Sequence, residues 1–490
     1  MRVRVLSEKL GFFLLLAVCA VSVPAQSRPG NARIRGTVRD PTGTVVPRAS
    51  VDITGSGSGH IERIRTDAAG RFDSGDLPRG KYTVTVFCAG FASFEREIDL
   101  TTQPSADLHV RLDVGKSGSV SVELGAKPAP QILNRLDSTT TSSEIDSTIT
   151  RLMFAAHVTG MGIALFNDGR VVYEKAYGFR DKEKALPLTP DSVMTAASLS
   201  KATFAYMVMQ LVQEGVIDLD KPVYQYLPKP LPEYDDYKDL SGDARYKKIT
   251  ARMLLDHTAG FPNLRRFTDD KKLSIDFEPG KRFAYSGEGI KLLQFVVETL
   301  TGKTLEQLMQ ERIFEPFGMT RTSMVWQPRF ESDFANAYDE QEHSLGPQRR
   351  TIANAAGGMQ TTLADFAKLI DAVAHGEGLK PETKKLMLTP QIAIHSKHEF
   401  PSLAKETTKE NDRIRLSYGL GWGLYFTPYG EAFFKEGHDD GFRHYVVYFD
   451  EAGKGLLIMS NSANTEGIYE ELLEKLLGDT YTPIEWEGFK

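Results

Sequence analysis

The chain has 490 residues, of which 41% are hydrophobic and 25% are charged, and its formal net charge is −6. This composition is typical of soluble globular proteins, and the length predicts two or three domains. The mild acidity excludes broad nucleic-acid binding, which needs clustered basic residues to neutralise phosphates. Because the chain has only two cysteines, Cys19 and Cys88, a disulfide-stapled fold and a zinc site with several thiolates are also excluded.

The N-terminal segment, residues 1–25, predicts export. Basic residues precede an apolar run over 11–23, and small residues follow it, which is the order of a cleavable secretory signal. The run is too short to span about 30 Å of hydrocarbon at roughly 1.5 Å per residue, which favours a signal over a membrane anchor. We expect cleavage after Ala25 and a secreted or periplasmic protein with no stable membrane span.

Residues 32–114 predict a small all-β sandwich, because short β-rich runs follow one another between turn residues. In one run Tyr82, Val84, Val86 and Cys88 alternate with residues of the opposite face, which is the pattern of a strand. Since Cys19 leaves with the signal, we expect Cys88 to be a buried and inert thiol.

The order of these runs resembles a known module. The stretches "GTVRDPTGTVVPRASV" and "TDAAGRFDSGDLPRGKYTVTVFCAGF" are similar to the carboxypeptidase regulatory-like domain, a transthyretin-type sandwich. The resemblance implies no chemistry of its own, so we expect a spacer or stabilising role, with ligand binding as the alternative. Residues 115–144 are rich in Ser, Thr, Ala, Pro and Gly and predict a linker.

Residues 145–480 predict an α+β domain. The stretch "MGIALFNDGRVVYEKAYGF" reads as a hairpin around 167–169, and β-rich runs return near the C-terminus. Helical patterns lie between the two, at 200–214, 288–300, 304–314 and 363–375. This order predicts an antiparallel sheet flanked by helices, with an inserted helical lobe and a cleft where the two parts meet.

Ser198 and Lys201 form the first candidate catalytic pair. Residues three apart share a helix face, and a desolvated lysine can lose its proton and activate a serine. The same spacing recurs at Ser402 and Lys405, but it continues there into a charged, loop-like stretch. Ser198 instead opens the apolar run "ATFAYMVMQLV", although an ordinary helix-start serine is the alternative.

Two further motifs follow Ser198, roughly 90 and then 150 residues apart: Tyr285-Ser286-Gly287 and Lys435-Glu436-Gly437. Together with "ITARMLLDHTAGFPN", "NAAGGMQTTLADFAKLI" and "YGLGWGL", they resemble the serine β-lactamase and penicillin-binding-protein family. This family includes class C β-lactamases, DD-peptidases and related esterases. The resemblance spans nearly all of residues 150–465.

The resemblance implies a role for each motif residue. Ser198 would be the acylated nucleophile, and Lys201 and Tyr285 would share the general-base work. Lys435 would keep the site electropositive and lower the pKa of Tyr285, because cations favour an ionised phenol. The backbone N–H groups of Ser198 and His438 would form the oxyanion hole.

The resemblance implies that Gly287 and Gly437 contact the substrate. The sequence departs from the family pattern at two positions, 287 and 436. Gly287 stands where the lactamases usually have Asn, which removes an amide donor, and Glu436 stands where they have Thr or Ser. If Lys435 and Glu436 are successive strand residues, we expect them to face opposite sides; otherwise Glu436 should repel the carboxylate of a β-lactam. Gly437 matches the pattern, and the acyl-transfer residues are retained.

These observations predict an exported serine hydrolase that cleaves a small-molecule or peptide ester or amide. The alternatives within the class are a DD-peptidase or a β-lactamase acting on cell-wall peptides or β-lactams; a non-catalytic envelope binding protein is the alternative of another class. No G-x-S-x-G motif supports a Ser-His-Asp hydrolase. No cofactor or metal is predicted, because His395 and His398 have no acidic or cysteine partner pattern, and His257 reads as a structural residue.

Overall fold

The computed structural model describes residues 32–55, 61–88, 91, 94–112 and 132–489. The predicted signal segment, 1–25, and residues 115–131 of the predicted linker lie outside the described residues. The chain divides into two compact units, residues 1–118 and 119–490.

The first unit contains two small β-sheets. Its strands are β1 (Arg33–Arg39), β2 (Ser50–Gly55), β3 (Ile61–Arg65), β4 (Arg71–Asp73), β5 (Lys81–Phe87), β6 (Phe94–Asp99) and β7 (Ser105–Arg111). One sheet has the order β4-β1-β7, with β1 and β7 parallel, and the other has the order β3-β2-β5-β6. This β-rich region agrees with the all-β class expected from the sequence.

Alternation along the strands builds the core of this unit. Ile34, Val51, Val84 and Val110 are buried, and their strand neighbours are more exposed. Cys88 is a free, buried cysteine, and burial raises the pKa of its thiol to about 12, so the thiolate that would react is disfavoured.

The described part of the second unit begins with regular secondary structure inside the predicted linker, 115–144. β8 (Ile132–Asn134) and β9 (Thr139–Thr141) form a hairpin that leads into α1 (Ser142–Ala156). Leu133 is buried in the core, and the Thr141 hydroxyl accepts from the N–H of Glu144 in a capping box. The polar residues 138–144 are therefore a hairpin and a helix start, so ordered structure of the second unit begins before the predicted linker limit at 144.

A nine-stranded antiparallel sheet forms the centre of the second unit. Its order is β12-β11-β10-β22-β21-β20-β19-β18-β17, so strands from both ends of the unit meet in it. The strands are β10 (Gly160–Asn167), β11 (Arg170–Asp181), β12 (Leu186–Pro187), β17 (Ile392–Ala393), β18 (Ser417–Tyr418), β19 (Gly423–Thr427), β20 (Gly430–Asp439), β21 (Phe442–Phe449) and β22 (Lys454–Ser460). Two-residue and three-residue strands pair outside this sheet: β13 (Met194–Thr195) with β16 (Gln360–Thr361), and β14 (Ala337–Tyr338) with β15 (Ser344–Gly346).

The predicted hairpin is confirmed. β10 and β11 pair directly, and the turn between them places Asp168 and Gly169 at φ of 51° and 75°. Positive φ at both central residues matches the right-handed twist of a two-residue hairpin.

Most of the α-helices lie between the two groups of strands, as the sequence predicts. The remaining helices of the unit are α2 (Leu199–Gln213), α3 (Ala251–Leu255), α4 (Gly287–Thr301), α5 (Leu305–Met309), α6 (Leu363–His375), α7 (Pro381–Met387), α8 (Tyr469–Leu472) and α9 (Ile484–Glu487). The predicted helix over 304–314 is α5 continued by a wider turn over Gln310–Phe314.

The sheet separates two hydrophobic cores. Along β10, Ala164 and Phe166 face the core that contains α2, α4 and α6, and Ile163 and Leu165 face the core that contains α1 and the C-terminal helices. Because both faces are covered, the central strands read as continuous apolar runs. Among the residues described, no helix is long and apolar enough to cross a membrane.

Removing side-chain volume from this core should destabilise the second unit. Ile163 is 0% exposed, so Ile163→Ala should lower the free energy of unfolding by about 2–5 kcal/mol through lost burial and a residual cavity. Urea unfolding followed by tryptophan fluorescence measures this unit, because Trp326, Trp422 and Trp486 all belong to it. Val171→Ala, at an exposed position of β11, is the matched control and should lower the free energy of unfolding by less than about 0.5 kcal/mol. An equal decrease in the free energy of unfolding of the two variants would contradict the assigned core.

Candidate active site

Ser198 lies at the start of α2 with its side chain accessible. Residues 192–197 and 199–211 are buried around it, whereas Ser198 is partly exposed and lines a cavity of about 840 Å³. The preceding residue, Ala197, has φ of 49°, in the left-handed region that a residue with a Cβ rarely adopts. This turn delivers the Ser198 hydroxyl to the cavity at the positive end of a helix.

Lys201 lies one helical turn beyond Ser198 and is 3% exposed. Its Nζ atom donates to Ser198 Oγ at 2.8 Å and to the Ala356 carbonyl oxygen at 2.6 Å. Burial, reinforced by the nearby charge of Lys435, lowers the pKa of the Lys201 amine to about 7. A substantial fraction of the amine is therefore neutral near pH 7 and can accept a proton from Ser198.

Tyr285 immediately precedes the N-cap of α4 and is fully buried beside the pair. Its hydroxyl accepts from Lys435 Nζ at 3.1 Å, and Tyr285 lines the same cavity as Ser198. The Nζ atoms of Lys201 and Lys435 lie 4.9 and 4.7 Å from the centre of its ring. The structure thus joins Ser198, Lys201, Tyr285 and Lys435 in one contiguous cluster.

The expected lowering of the Tyr285 pKa is wrong. Burial, followed by the negative charge of Glu436, raises the pKa of the Tyr285 phenol well above its ordinary value. Two nearby cations do not outweigh desolvation, because one of them, Lys435, is paired with Glu436. Tyr285 therefore holds its proton, and Lys201 is the better base of the two.

Lys435, Glu436 and Gly437 lie on β20, next to the start of α2. Lys435 is 0% exposed, and its ammonium forms an ion pair with Glu436, which lines the cavity. The expectation that Lys435 and Glu436 face opposite sides is therefore wrong, because the Lys435 ammonium contacts the Glu436 carboxylate. A Cβ on Gly437 would lie 2.9 Å from the Ala196 carbonyl oxygen, so glycine lets β20 approach the turn that precedes Ser198.

Ser198 and His438, whose backbone N–H groups are expected to form an oxyanion hole, both line the cavity. β19 pairs with β20 only over Gly430–Phe434, which leaves the part of β20 that contains His438 without a strand on that side. The His438 ring is half exposed, and its Nδ1 lies 2.7 Å from Glu466. The backbone N–H groups of Ser198 and His438 remain the predicted oxyanion donors.

His257 supports Tyr285, which agrees with its structural interpretation. Its ring centre lies 4.5 Å from that of Tyr285, and its Nδ1 accepts from the N–H of Ser286 at 3.3 Å. Burial and the two lysine charges hold the pKa of His257 well below its ordinary value, so the ring is neutral.

Asn263, Glu399 and Phe400 are among the cavity residues that sequence reasoning did not identify. The Asn263 Oδ1 accepts from the N–H of Gly287 at 3.1 Å, so its amide stands beside the position where the family usually has an Asn side chain. The Phe400 ring packs against Tyr285 at 5.5 Å, and its neighbour Glu399 is buried in the cavity wall. The signal for Asn263 is its place at the end of "HTAGFPN"; residues 399–400 lie in a polar, loop-like stretch that gives no such signal.

No group of three or more His, Cys, Asp or Glu residues in the described ranges lies close enough to hold a metal ion. His395 lies 3.7 Å from Asp412, and His398 contacts the Glu485 carbonyl oxygen at 3.4 Å. The second Ser-x-x-Lys pattern, at Ser402, lies in a turn and does not begin a helix.

Comparisons with known proteins agree with this arrangement. A model of the beta-lactamase family matches residues 145–478, and a model of the carboxypeptidase regulatory-like domain matches residues 33–113. A teichoic acid D-alanine hydrolase of Staphylococcus aureus is 25% identical over 330 residues, covering 64% of this chain and 74% of that protein. Penicillin-binding protein 4 of Amycolatopsis lactamdurans is 24% identical over 352 residues, covering 66% and 86% respectively.

Solved structures share the fold. The octameric penicillin-binding protein homologue from Pyrococcus abyssi superposes with a TM-score of 0.55 at 24% identity, covering 69% of this chain and 77% of that one. The D-alanine carboxypeptidase AmpC from Burkholderia cenocepacia has a TM-score of 0.54 at 20% identity, covering 69% and 98%.

The close approach at Gly437 should be intolerant of a side chain. Gly437→Ala brings a methyl group to 2.9 Å from the Ala196 carbonyl oxygen, and the resulting overpacking should lower the free energy of unfolding by about 1–3 kcal/mol. Urea unfolding followed by tryptophan fluorescence measures the change. Gly357→Ala is the control in the same unit, because its Cβ would meet its nearest atom at 3.7 Å; an unchanged midpoint for Gly437→Ala would contradict the assigned contact.

Proposed function

The chain belongs to the beta-lactamase family of serine hydrolases, and from that premise we propose that it cleaves an ester or amide through an acyl-enzyme on Ser198. The observation that carries this proposal is the 2.8 Å contact between Lys201 Nζ and Ser198 Oγ. A hydroxyl beside a buried amine base, at a helix start that opens into a cavity, is suited to nucleophilic acyl transfer.

In the acylation step, the neutral Lys201 amine accepts the Ser198 proton while Oγ forms a bond to the substrate carbonyl carbon. The carbonyl π electrons move onto oxygen, and the N–H groups of Ser198 and His438 bind the resulting oxyanion. When the carbonyl bond re-forms, the bond to the leaving oxygen or nitrogen breaks. The leaving group takes a proton from Lys201, passed through the Tyr285 hydroxyl.

Deacylation follows the reverse order with water as nucleophile. Water attacks the acyl carbon as its proton moves through Tyr285 to Lys201, and the acid is released as the Ser198 Oγ recovers that proton. Lys435 holds the Tyr285 hydroxyl through its 3.1 Å hydrogen bond. Tyr285 is therefore a proton relay in this mechanism, and Lys201 is the base.

We propose D-alanyl esters and amides as the first substrates to test. The names of the Staphylococcus hydrolase and the Burkholderia carboxypeptidase both refer to D-alanine. Antibiotic hydrolysis is disfavoured, because Glu436 lines the cavity and opposes the carboxylate that β-lactams carry. DD-peptidase activity is the second candidate, favoured by the amide of Asn263 beside Gly287.

Export of the protein remains part of the proposal. It rests on the signal-like order of residues 1–25, and we propose a spacer role for the sandwich module that follows. N-terminal sequencing of the protein recovered from outside the cytoplasm should begin at Gln26; recovery of the uncleaved chain in the cytoplasm would contradict export.

Covalent labelling tests the nucleophile. A fluorophosphonate probe should modify the peptide that contains Ser198, and Ser198→Ala should abolish both labelling and ester hydrolysis, the latter by about 10³-fold or more. Peptide mass spectrometry identifies the modified residue. Ser402→Ala is the matched control, because it removes only the serine of the second Ser-x-x-Lys pattern; the probe should still modify Ser198 in this variant as it does in the wild type. Persistent labelling of Ser198→Ala would refute the assignment.

The pH dependence tests the base. Because Lys201 must be neutral and its pKa is about 7, kcat/KM for a non-ionising ester should rise about tenfold per pH unit below 7 and level off above it. Lys201→Arg should lose about 10²–10⁴-fold in kcat/KM, because arginine stays protonated. A flat profile between about pH 5.5 and 8.5 would contradict this assignment.

A further inference from the structure

One side of the catalytic cavity is acidic. Glu399, Glu436 and Glu487 come from three separate segments, yet all three line the cavity that contains Ser198. Their exposed fractions are 3%, 6% and 6%, so they are buried in its wall. The mechanism above uses none of these carboxyl groups.

Within the described part of the protein, only one of the three carboxyl groups forms an ion pair. Glu436 forms an ion pair with Lys435. The Oε2 atom of Glu487 accepts from the Tyr445 hydroxyl at 2.9 Å, but its Oε1 atom is buried and has no hydrogen-bond partner among the described residues. The Glu399 carboxyl makes no hydrogen bond or ion pair with any described residue. The backbone N–H of Glu399 donates to the Trp486 carbonyl oxygen.

Leaving such groups unpaired is costly. A buried carboxylate without a partner loses several kcal/mol of solvation, so a protein normally pairs it or omits it. Burial and the charge of Glu436 raise the pKa of Glu399 and of Glu487 well above the ordinary range. The charges of nearby lysines oppose this rise without outweighing it, so an incoming cation would stabilise the ionised form of both carboxyl groups.

The acidic wall lies close to the reacting atoms. Glu399 interacts electrostatically with Lys201, the partner of the Ser198 hydroxyl. Its neighbour Phe400 packs on Tyr285, and an aromatic face beside a carboxylate also favours a cation. A positive group bound here would therefore belong to the part of the substrate next to the scissile carbonyl.

We propose that Glu399 and Glu487 form a subsite for a substrate ammonium group, so that the acyl part of the substrate is an amino acid with a free amine. This inference rests on the proposed function and narrows it. The cavity takes aminoacyl esters or amides in preference to N-acylated peptides or β-lactams. Glu399 and Glu487 bind and orient the ammonium, and Ser198 attacks the adjacent carbonyl.

Three methyl esters with matched acyl groups test the subsite: D-alanine, N-acetyl-D-alanine and isobutyrate, in which a methyl group replaces the ammonium. Each kcat/KM is divided by the rate of hydrolysis by hydroxide, which removes intrinsic reactivity. The wild type should prefer the D-alanine ester by about tenfold or more, since losing one partner of a buried charge pair has at least this effect. No preference would overturn the proposal.

Variants locate the subsite. Glu399→Gln and Glu487→Gln should each reduce the normalised preference about fivefold or more, mainly through KM, because the amide keeps the shape and removes the charge. Glu485→Gln, on the exposed face of the same helix as Glu487, is the matched control and should keep the preference. An unchanged preference in both cavity variants would overturn the assignment, and thermal unfolding confirms that each variant is folded.

A binding measurement separates this inference from the proposed function. Calorimetry of D-alaninamide with Ser198→Ala requires no catalysis, and binding that weakens when Glu399→Gln is added would support the subsite even without turnover. Absence of binding would overturn it. Fluorophosphonate labelling of wild-type Ser198 without any ammonium preference would overturn the subsite and leave the acyl-enzyme mechanism standing, whereas ammonium binding without labelling would refute the mechanism alone.

Discussion

The active site depends on the burial of the Lys201 amine against the Ser198 hydroxyl, with a second lysine close by. Desolvation and the charge of Lys435 both disfavour the ammonium form, which brings the pKa of Lys201 to about 7. The same burial keeps the proton on Tyr285, because Glu436 pairs with Lys435 and adds negative charge beside the phenol. In the proposed mechanism the two lysines thus have different tasks: Lys201 serves as the base, and Lys435 holds the Tyr285 hydroxyl.

The scaffold fixes this geometry with two elements that are distant in sequence. Helix α2 is buried on nearly all sides, so it has little freedom to rotate about its axis. Strand β20 lies in the middle of the nine-stranded sheet and approaches the start of α2 at Gly437. Because both elements are held by packing on rigid neighbours, the proposed nucleophile Ser198, the proposed base Lys201 and the Lys435 ammonium are positioned before a substrate arrives.

Much of this arrangement could be predicted from the sequence. Periodicity identified the β10–β11 hairpin and the main helices, and the apolar run after Ser198 distinguished it from Ser402, which lies in a turn. The Tyr285 pKa could not be predicted, because it depends on how desolvation balances charges from residues 150 positions away. Glu399 and Asn263 were missed for a similar reason: polar residues in loop-like stretches show no periodicity, and only the tertiary fold turns them into the cavity.

Direct titration of the Lys201 amine tests the central claim most sharply. In protein labelled with ¹³C at the lysine Cε position, the Lys201 resonance can be assigned by its loss in Lys201→Arg and followed by NMR as the pH is varied. The account predicts a midpoint near 7 for this resonance, as burial lowers the pKa to about 7. A midpoint at the ordinary lysine value of about 10.4 would contradict it, since the amine would then be protonated and unable to activate Ser198.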